Sequence, residues 1–405
     1  MLGYRSNPFS GGQGVYIRNV ARALADRGHL VDVISGEPYP LLPNHPGIAL
    51  IKLPGLNLFD KTDRLRALRK QDLTDPLALF EWFSVNSGGF PEPYTFAQRL
   101  YRYLQPRRHH YDVIHDNQTL GWGLLKLQKQ GFPIITTVHH PITYDRDIAL
   151  AHAPGPGLRL LIRRWHYFLH MQTRVAQKLK HIVTVSESSR QDIATAFAVP
   201  QNRIHLVPNG IDTHFYKPSQ TSRSAGSPQL ISTASADQPL KGTVNLMQAF
   251  AQVRQQFPDA QLTLIGKPKP DGPTAAAIHE LDLAAHIRFV HGISDAEVVD
   301  LYHQSDLAVV PSEYEGFGLP AAEAMACGVA VVSTDGGALP EVVGQAGVVV
   351  PKANSNALAE GITMLLNDPV RRTELAAAGR RRVEQNFSAK VVGENLVTLY
   401  KELLL

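Results

Sequence analysis

In both halves of the chain, short runs rich in Val and Ile alternate with longer stretches of helical periodicity, and this alternation restricts the fold more than any other feature. The first half carries LVDVIS (30–35), DVIHD (112–116), PIITTVH (133–139) and HIVTVS (181–186). The second carries QLISTA (229–234), QLTLIG (261–266), HIRFV (286–290), DLAVVPS (306–312), VAVVST (329–334) and AGVVVP (346–351). Runs that are apolar almost throughout suit strands covered on both faces, and the intervening helices supply the crossovers that parallel strands need. The pattern predicts an α/β protein with two doubly wound, Rossmann-like sheets. At 405 residues the chain is long enough for two cores. The stretch VPNGIDTHFYKPSQTSRSAGSPQ (207–229), rich in Pro, Gly, Ser and Asn, reads as the link between them, with a turn at Asn209 and Gly210. The domains are therefore expected at 1–206 and 207–386. Residues 387–405 place Val391, Leu396, Leu399 and Leu403 on one helical face, and this terminal helix is expected to pack back onto the first domain. Ahead of the glycine loop at Gly11 to Gly14 only Met1 to Arg5 are available for a first strand, which points to a start upstream of Met1.

Composition narrows the class. Cys327 is the one cysteine, so neither an intrachain disulfide nor a multi-cysteine zinc cluster can form. No run of 18 apolar residues occurs, and MLGYRSNPFSGG lacks the basic and apolar regions of a signal peptide, so no spanning helix is expected; the single cysteine fits a reducing, cytoplasmic location. The net charge of +4 hides an asymmetry: residues 1–205 carry 25 Lys and Arg against 15 Asp and Glu, and residues 206–405 carry 15 against 21. Between Asp147 and Glu187 no acidic residue interrupts Arg159, Arg163, Arg164, Arg174, Lys178 and Lys180, with His152, His166, His170 and His181 among them. Leu161, Trp165, Phe168, Leu169 and Val175 are interspersed. One reading of this segment is a core-packing helix with a solvated basic face. The other is a peripheral contact, through residues 159–180, with an anionic membrane or an anionic acceptor. No nucleic-acid motif accompanies the cations, and nucleic acid is not expected as a partner.

The densest chemical signal is SEYEGFGLPAAEAMACG, Ser312 to Gly328, directly after an apolar strand. Glu315, Gly316 and Gly318 form a loop, Pro320 suits a first helical turn, and Gly328 suits the far cap. A helix that opens behind glycines presents free backbone N–H groups and about half a positive charge, which suits a phosphate. Glu315 and Glu323 then lie on different elements, each able to meet a separate hydroxylated part of a ligand. A plain structural reading also exists: doubly wound folds commonly turn on glycine after a strand, and a carboxylate early in a helix answers its dipole.

The segment resembles the E-x7-E motif of retaining family 4 glycosyltransferases. GGQGVY (11–16), TVHH (137–140), VSES (185–188), PNGID (208–212), LKG (240–242) and STDGGALPEVV (333–343) extend the resemblance, in order, over most of the chain. It implies a GT-B fold, with the acceptor held mainly by the first domain and the nucleotide sugar mainly by the second. It also implies catalytic roles for His139, Lys241 and Glu315, with His140 the alternative in register for the histidine. Glu315 would meet the sugar hydroxyls; the backbone of Gly316, Phe317, Gly318 and Leu319 the sugar and phosphate; and Glu323 the ribose. Lys241 would neutralise the leaving diphosphate, and Gly12, Gly14 and Asn209 would complete the donor site. No acceptor residue is identified, though PITYDRD (141–147) stands next to His140. The family arginine usual five residues before the lysine is Ala236 here, and IGKPKP (265–270) stands where many relatives have a glycine-acid-glycine turn. The resemblance implies transfer from a nucleotide-diphosphate sugar to a hydroxylated acceptor with no metal and no further cofactor, the leaving phosphate itself taking the acceptor's proton. A sugar-nucleotide epimerase of the same fold, and a non-catalytic binder of sugar nucleotides, are the alternatives.

Overall fold

The computed structural model describes residues 1–7, 12–151, 153–220, 226–233, 238–267 and 269–404. The chain divides into two compact units, Met1–Val207 with Val392–Leu405, and Pro208–Val391. Ala236, like Gly11, His152 and Pro268, lies outside the described residues.

The first unit is built on a seven-stranded parallel sheet. Its strands are β1 (Leu2–Gly3), β2 (Val31–Ser35), β3 (Ile48–Lys52), β4 (Ile114–Asn117), β5 (Ile134–Thr137), β6 (His181–Thr184) and β7 (Ile204–Leu206), in the order β3-β2-β1-β4-β5-β6-β7. Alternate residues feed two different cores, as the two-residue period of a strand requires. Ile34, Ile134 and Ile182 join one cluster with Phe96, Leu100, Leu124 and Phe197. Val33, Ile135 and Val183 join a second with Ile17, Val20, Leu24 and, from the terminal helix Ala389–Leu404, Val392, Leu396 and Leu399. Both faces are therefore covered, which is why these runs read as continuously apolar. The terminal helix is also tied to the helix Gln13–Ala25 region by Arg27 Nη2 and Glu394 Oε1 at 3.5 Å.

The second unit carries β8 (Gln229–Thr233), β9 (Gln261–Ile265), β10 (Ile287–Val290), β11 (Leu307–Val310), β12 (Ala330–Thr334) and β13 (Val348–Val350), all parallel, in the order β10-β9-β8-β11-β12-β13. Leu230, Leu262, Leu307, Val309 and Val332 build its core with Leu246, Phe250 and Ile362 from the flanking helices. Side chains place several helix starts: Ser294 caps Asp295–His303 with Glu297 reaching back, and Asn354 Oδ1 accepts from Ala357 N at 3.0 Å.

Three expectations need correction. β3 and β7 were not among the predicted strands, because three residues, or an edge strand with part-exposed side chains, leave no apolar run to find, and β1 occupies only Leu2–Gly3 of the Met1 to Arg5 stretch expected to hold a first strand. The basic segment is not one helix: Pro156–Trp165 and Leu169–Ala176 are separated by a 3-10 turn at His166–Phe168. The segment read as a link is held in place at its start, where Ile211 is buried and pairs with the 387–389 backbone, Ile211 N donating to Phe387 O at 2.7 Å and Ala389 N to Ile211 O at 2.8 Å.

Candidate active site

In a doubly wound sheet a ligand crevice opens at the carboxyl ends of the strands where their order reverses. In the second sheet that point lies between β8 and β11. The loop after β8 ends in Lys241, and the loop after β11 carries Glu315. Lys241 Nζ donates to Glu315 Oε1 at 2.6 Å, and Ser312 Oγ donates to the same oxygen at 2.8 Å. Backbone bonds fix both loops: Glu313 N donates to Leu240 O at 2.8 Å, Ala338 N donates to Glu315 O at 2.9 Å, and Thr334 Oγ1 donates to Ser312 O. A charged pair, partly buried on both sides, is thus set at the switch point.

Gly318 caps the helix Leu319–Ala326 with φ 103°, a left-handed value that strains any side chain, and a Cβ there would stand 2.8 Å from Leu339 Cδ2. Pro320 lies in the first turn, and Glu323 projects from the middle of the helix. The Glu323 charge is felt by two buried neighbours. Burial first and then that carboxylate push the Cys327 thiol up to about 12, and the same two causes raise Tyr302, whose hydroxyl meets Thr233 Oγ1 at 3.1 Å. Phe317 is buried and turns its ring edge-on to Phe387 at 5.5 Å between centroids, so its side chain is committed to packing. Asn209 is 8% exposed, and its Oδ1 has no hydrogen-bond partner among the described residues. A buried acceptor without a donor is costly, which suits a group that a ligand completes.

The first sheet has its own reversal between β1 and β4. Gly12, φ 72°, caps the helix Gln13–Ala25, and its carbonyl accepts from Tyr16 N at 2.9 Å. Gly14 is required by close approach: a Cβ there would lie 2.4 Å from Asn7 O and 2.6 Å from Ser6 O. His139 is two residues beyond the end of β5, not at the strand end as expected. Its Nε2 meets Asn117 Oδ1 at 2.8 Å, and its ring stands edge-on to Tyr16 at 4.6 Å. Its backbone is clamped as well, the N–H donating to Gln118 Oε1 at 2.9 Å and the carbonyl accepting from Ser189 Oγ at 2.9 Å. Burial, then the charge of His140, lowers the His139 pKa to about 3, so the imidazole is neutral. His140 instead pairs with Asp145 at 3.1 Å, on the helix Thr143–Ala151 that includes part of the 141–147 stretch.

Around His139 stand residues that sequence reasoning missed. Tyr16 OH meets Thr137 Oγ1 at 2.9 Å, Thr137 Oγ1 meets His115 Nε2 at 2.6 Å, and His115 Nδ1 meets Tyr400 OH on the terminal helix. Burial brings His115 down to about 3 and Asp116 up to about 6. The available signal was the run His115–Asp116–Asn117–Gln118–Thr119, five polar residues in succession at a strand end, all of them buried. Of the predicted site residues, Lys241, Glu315, Gly316, Phe317, Gly318, Leu319, Glu323 and Asn209 thus belong to the second unit, and Gly12, Gly14 and His139 to the first. Among the described residues no group of three His, Cys, Asp or Glu could hold a metal ion, and no helix is long and apolar enough to cross a membrane.

Two parallel sheets of Rossmann type, each carrying polar groups at its order reversal, define the GT-B class of nucleotide-sugar enzymes. The chain belongs to glycosyltransferase family 4, a retaining family: residues 10–215 match the Glycosyltransferase Family 4 pattern, and residues 218–382 match Glycosyl transferases group 1. It is 42% identical, over 99% of its length and 97% of the other's, to the MMP alpha-(1->4)-mannosyltransferase of Mycolicibacterium hassiacum. A D-inositol 3-phosphate glycosyltransferase of Jonesia denitrificans is 26% identical over 97% of this chain and 91% of that one. In fold it is similar to sucrose-phosphate synthase from Thermosynechococcus elongatus, with TM-score 0.73, 24% identity, and coverage of 99% of this chain and 98% of that one. The chain is therefore a retaining glycosyltransferase.

Proposed function

We propose that this enzyme transfers a mannosyl group from a nucleotide-diphosphate sugar to a hydroxyl of a glycan acceptor, forming an α-(1→4) linkage without a metal. The observation that carries the transfer is the Lys241–Glu315 pair, 2.6 Å apart at the switch point of the second sheet beside the helix opened by Gly318. The mannosyl and linkage assignments rest on the likeness to the mannosyltransferase. In the proposed reaction the bond from the sugar anomeric carbon to the diphosphate oxygen breaks and the bond to the acceptor oxygen forms on the same face. The acceptor's proton passes to the departing phosphate oxygen. The Lys241 ammonium answers the negative charge that grows on that oxygen, a fixed cation where charge develops. Glu315 holds the lysine and accepts from sugar hydroxyls, Glu323 accepts from the ribose, and the backbone of Gly316 to Leu319 lies along the sugar and phosphate. Gly12, Gly14, Asn209 and His139 complete the substrate contacts in this reading.

Calorimetric titration with UDP, GDP and ADP and their mannose conjugates tests the donor half. One nucleotide class should bind, and Glu323→Ala should weaken it by about 1–3 kcal/mol, as loss of a charged hydrogen bond does. Binding of none, or indifference to Glu323→Ala, sinks the assignment. Incubating the preferred conjugate with a mannoside and determining the product's anomeric configuration tests the transfer half; an altered sugar nucleotide formed without acceptor would instead mark an epimerase. Activity should persist in excess chelator.

A peripheral membrane contact through the basic segment also belongs to this reading. The helix Pro156–Trp165 exposes Leu158, Leu160 and Leu161 together with Arg159 and Arg163, the mixture that anionic lipid surfaces attract. Co-sedimentation with anionic vesicles at low salt, reduced by Arg159→Glu with Arg163→Glu, is expected; no binding would discard the contact.

A further inference from the structure

The side chain of Asn117, the last residue of β4, is fully buried, and its two polar atoms have different neighbours. Nδ2 donates to the backbone oxygen of Gln13 at 3.3 Å, a partner that can only accept. The amide orientation follows, and with it the identity of the atom facing His139: Oδ1, at 2.8 Å from Nε2. A carboxamide oxygen cannot donate, so Nε2 of His139 must carry the proton. In a neutral imidazole that leaves Nδ1 with a lone pair and no hydrogen. Among the described residues no side chain or backbone group is bonded to Nδ1.

The ring has little freedom to exchange these roles. Tyr16 closes one side edge-on, and its hydroxyl is fixed through Thr137 and His115 to Tyr400 on the terminal helix. Gln118 grips the His139 N–H with Oε1 and the His140 carbonyl with Nε2, at 2.9 and 2.8 Å. Gln118 is held in turn by Gln172, whose Nε2 donates to its carbonyl at 3.1 Å. The titratable groups facing the ring are Tyr16 and His115, both neutral, and His140 with its partner Asp145.

We propose that Asn117 is a positioning residue that locks His139 as the Nε2-protonated neutral imidazole, so that Nδ1 accepts a hydrogen bond from a hydroxyl of the bound sugar. This rests on the reading above that His139 touches substrate. It adds a direction to that contact: the sugar hydroxyl donates and the histidine accepts, with no imidazolium involved. A sugar whose hydroxyl at that position is replaced by fluorine keeps an acceptor but has no proton to give, and should be a poor donor for the wild type.

The test has two arms. The first is the nitrogen spectrum of His139 in the full-length wild type, with long-range proton couplings that distinguish a protonated from an unprotonated ring nitrogen. A protonated Nε2 and bare Nδ1 are expected across pH 5–8. A protonated Nδ1 overturns the proposal, whatever becomes of any variant. The second is Asn117→Asp, which sets a carboxylate against Nε2, raises the His139 pKa and puts a proton on Nδ1. Below the raised pKa, kcat/KM should fall by about tenfold per pH unit and recover above it, a limb absent from the wild type. A folded Asn117→Asp enzyme with a wild-type pH profile overturns the proposal. His139→Ala separates the two levels. If it matches the wild type with the natural donor, the contact with substrate fails and the proposal falls with it. If it is impaired yet no longer discriminates against the fluorinated donor, both stand.

Discussion

The two order reversals in this molecule use opposite electrostatic strategies. At the second sheet a lysine and a glutamate, each partly exposed, meet at 2.6 Å. At the first, His115, Asn117, Thr137 and Tyr16 form a buried network with His139, in which both histidines are driven neutral. A partly exposed charged pair can respond to an incoming charge, since the ammonium is a compact charge on a flexible stem. A buried neutral network cannot shift charge at such low cost, but it fixes the direction in which each hydrogen bond points. Where an incoming group is charged, mobility is useful; where selectivity among hydroxyls is needed, rigidity is.

This contrast can be broken in stages. The largest effect is expected from Leu396→Ala, which opens a cavity between the terminal helix and Val20, Leu24 and Val33 and should cost about 2–5 kcal/mol in denaturant unfolding. If the network at His139 depends on that packing through Tyr400, the same variant should also lower activity in the folded fraction. Glu315→Gln comes next. It removes one charge of the partly buried pair and should lower kcat/KM by on the order of 100-fold with the unfolding midpoint little changed; a large stability loss with normal turnover would make the pair structural. Gly14→Ala should destabilise by about 1–3 kcal/mol because its methyl group meets two backbone oxygens, and it should do so without altering the pH profile.

The smallest and most diagnostic effect concerns pH. His115 and His139 are about 3 in the folded chain against 6.5 when unfolded, so the unfolded chain takes up more protons and stability falls as pH drops from about 6.5 towards 3. Asp116, raised to about 6 by burial, and Glu92, raised to about 7 by burial against the opposing pull of Arg5, bind protons in the folded chain first. Their contribution is present at low pH and lost as pH rises through those values, opposing the histidines between about pH 4.5 and 6.5. The melting temperature should therefore be nearly level over that interval and drop steeply below about pH 4. In Asp116→Asn the drop should begin near pH 6.5; a profile unchanged from wild type would discount the burial of Asp116.

Legibility in the sequence followed the same division. In the second unit the stretch Glu315 to Glu323 drew notice because it is contiguous, one loop and one helix after a strand of four buried residues, whereas Lys241, which only the fold brings to Glu315, was named by resemblance. The first unit's site was only partly readable. His139 was found by resemblance, but Tyr16, the His115–Asn117 strand end and Tyr400 come from three distant stretches that meet only when the sheet forms. Asn117 was lost because the predicted strand stopped at Asp116, and polar residues at a strand end look like loop until their burial is known. The break at His166–Phe168 has neither Pro nor Gly, the usual marks of interruption, so the apolar period ran straight through it.

The membership of the terminal helix has a consequence for how the chain is made. Residues Pro208–Val391 are contiguous, so the second unit is fully synthesised before Val392–Leu405 emerges. The first unit begins at Met1, yet Val392, Leu396 and Leu399 belong to one of its two cores, and Tyr400 supplies the last hydroxyl of the chain of bonds that runs through His115 and Thr137 to Tyr16, whose ring abuts His139. On the ribosome, the half that is translated first is thus the half that is finished last.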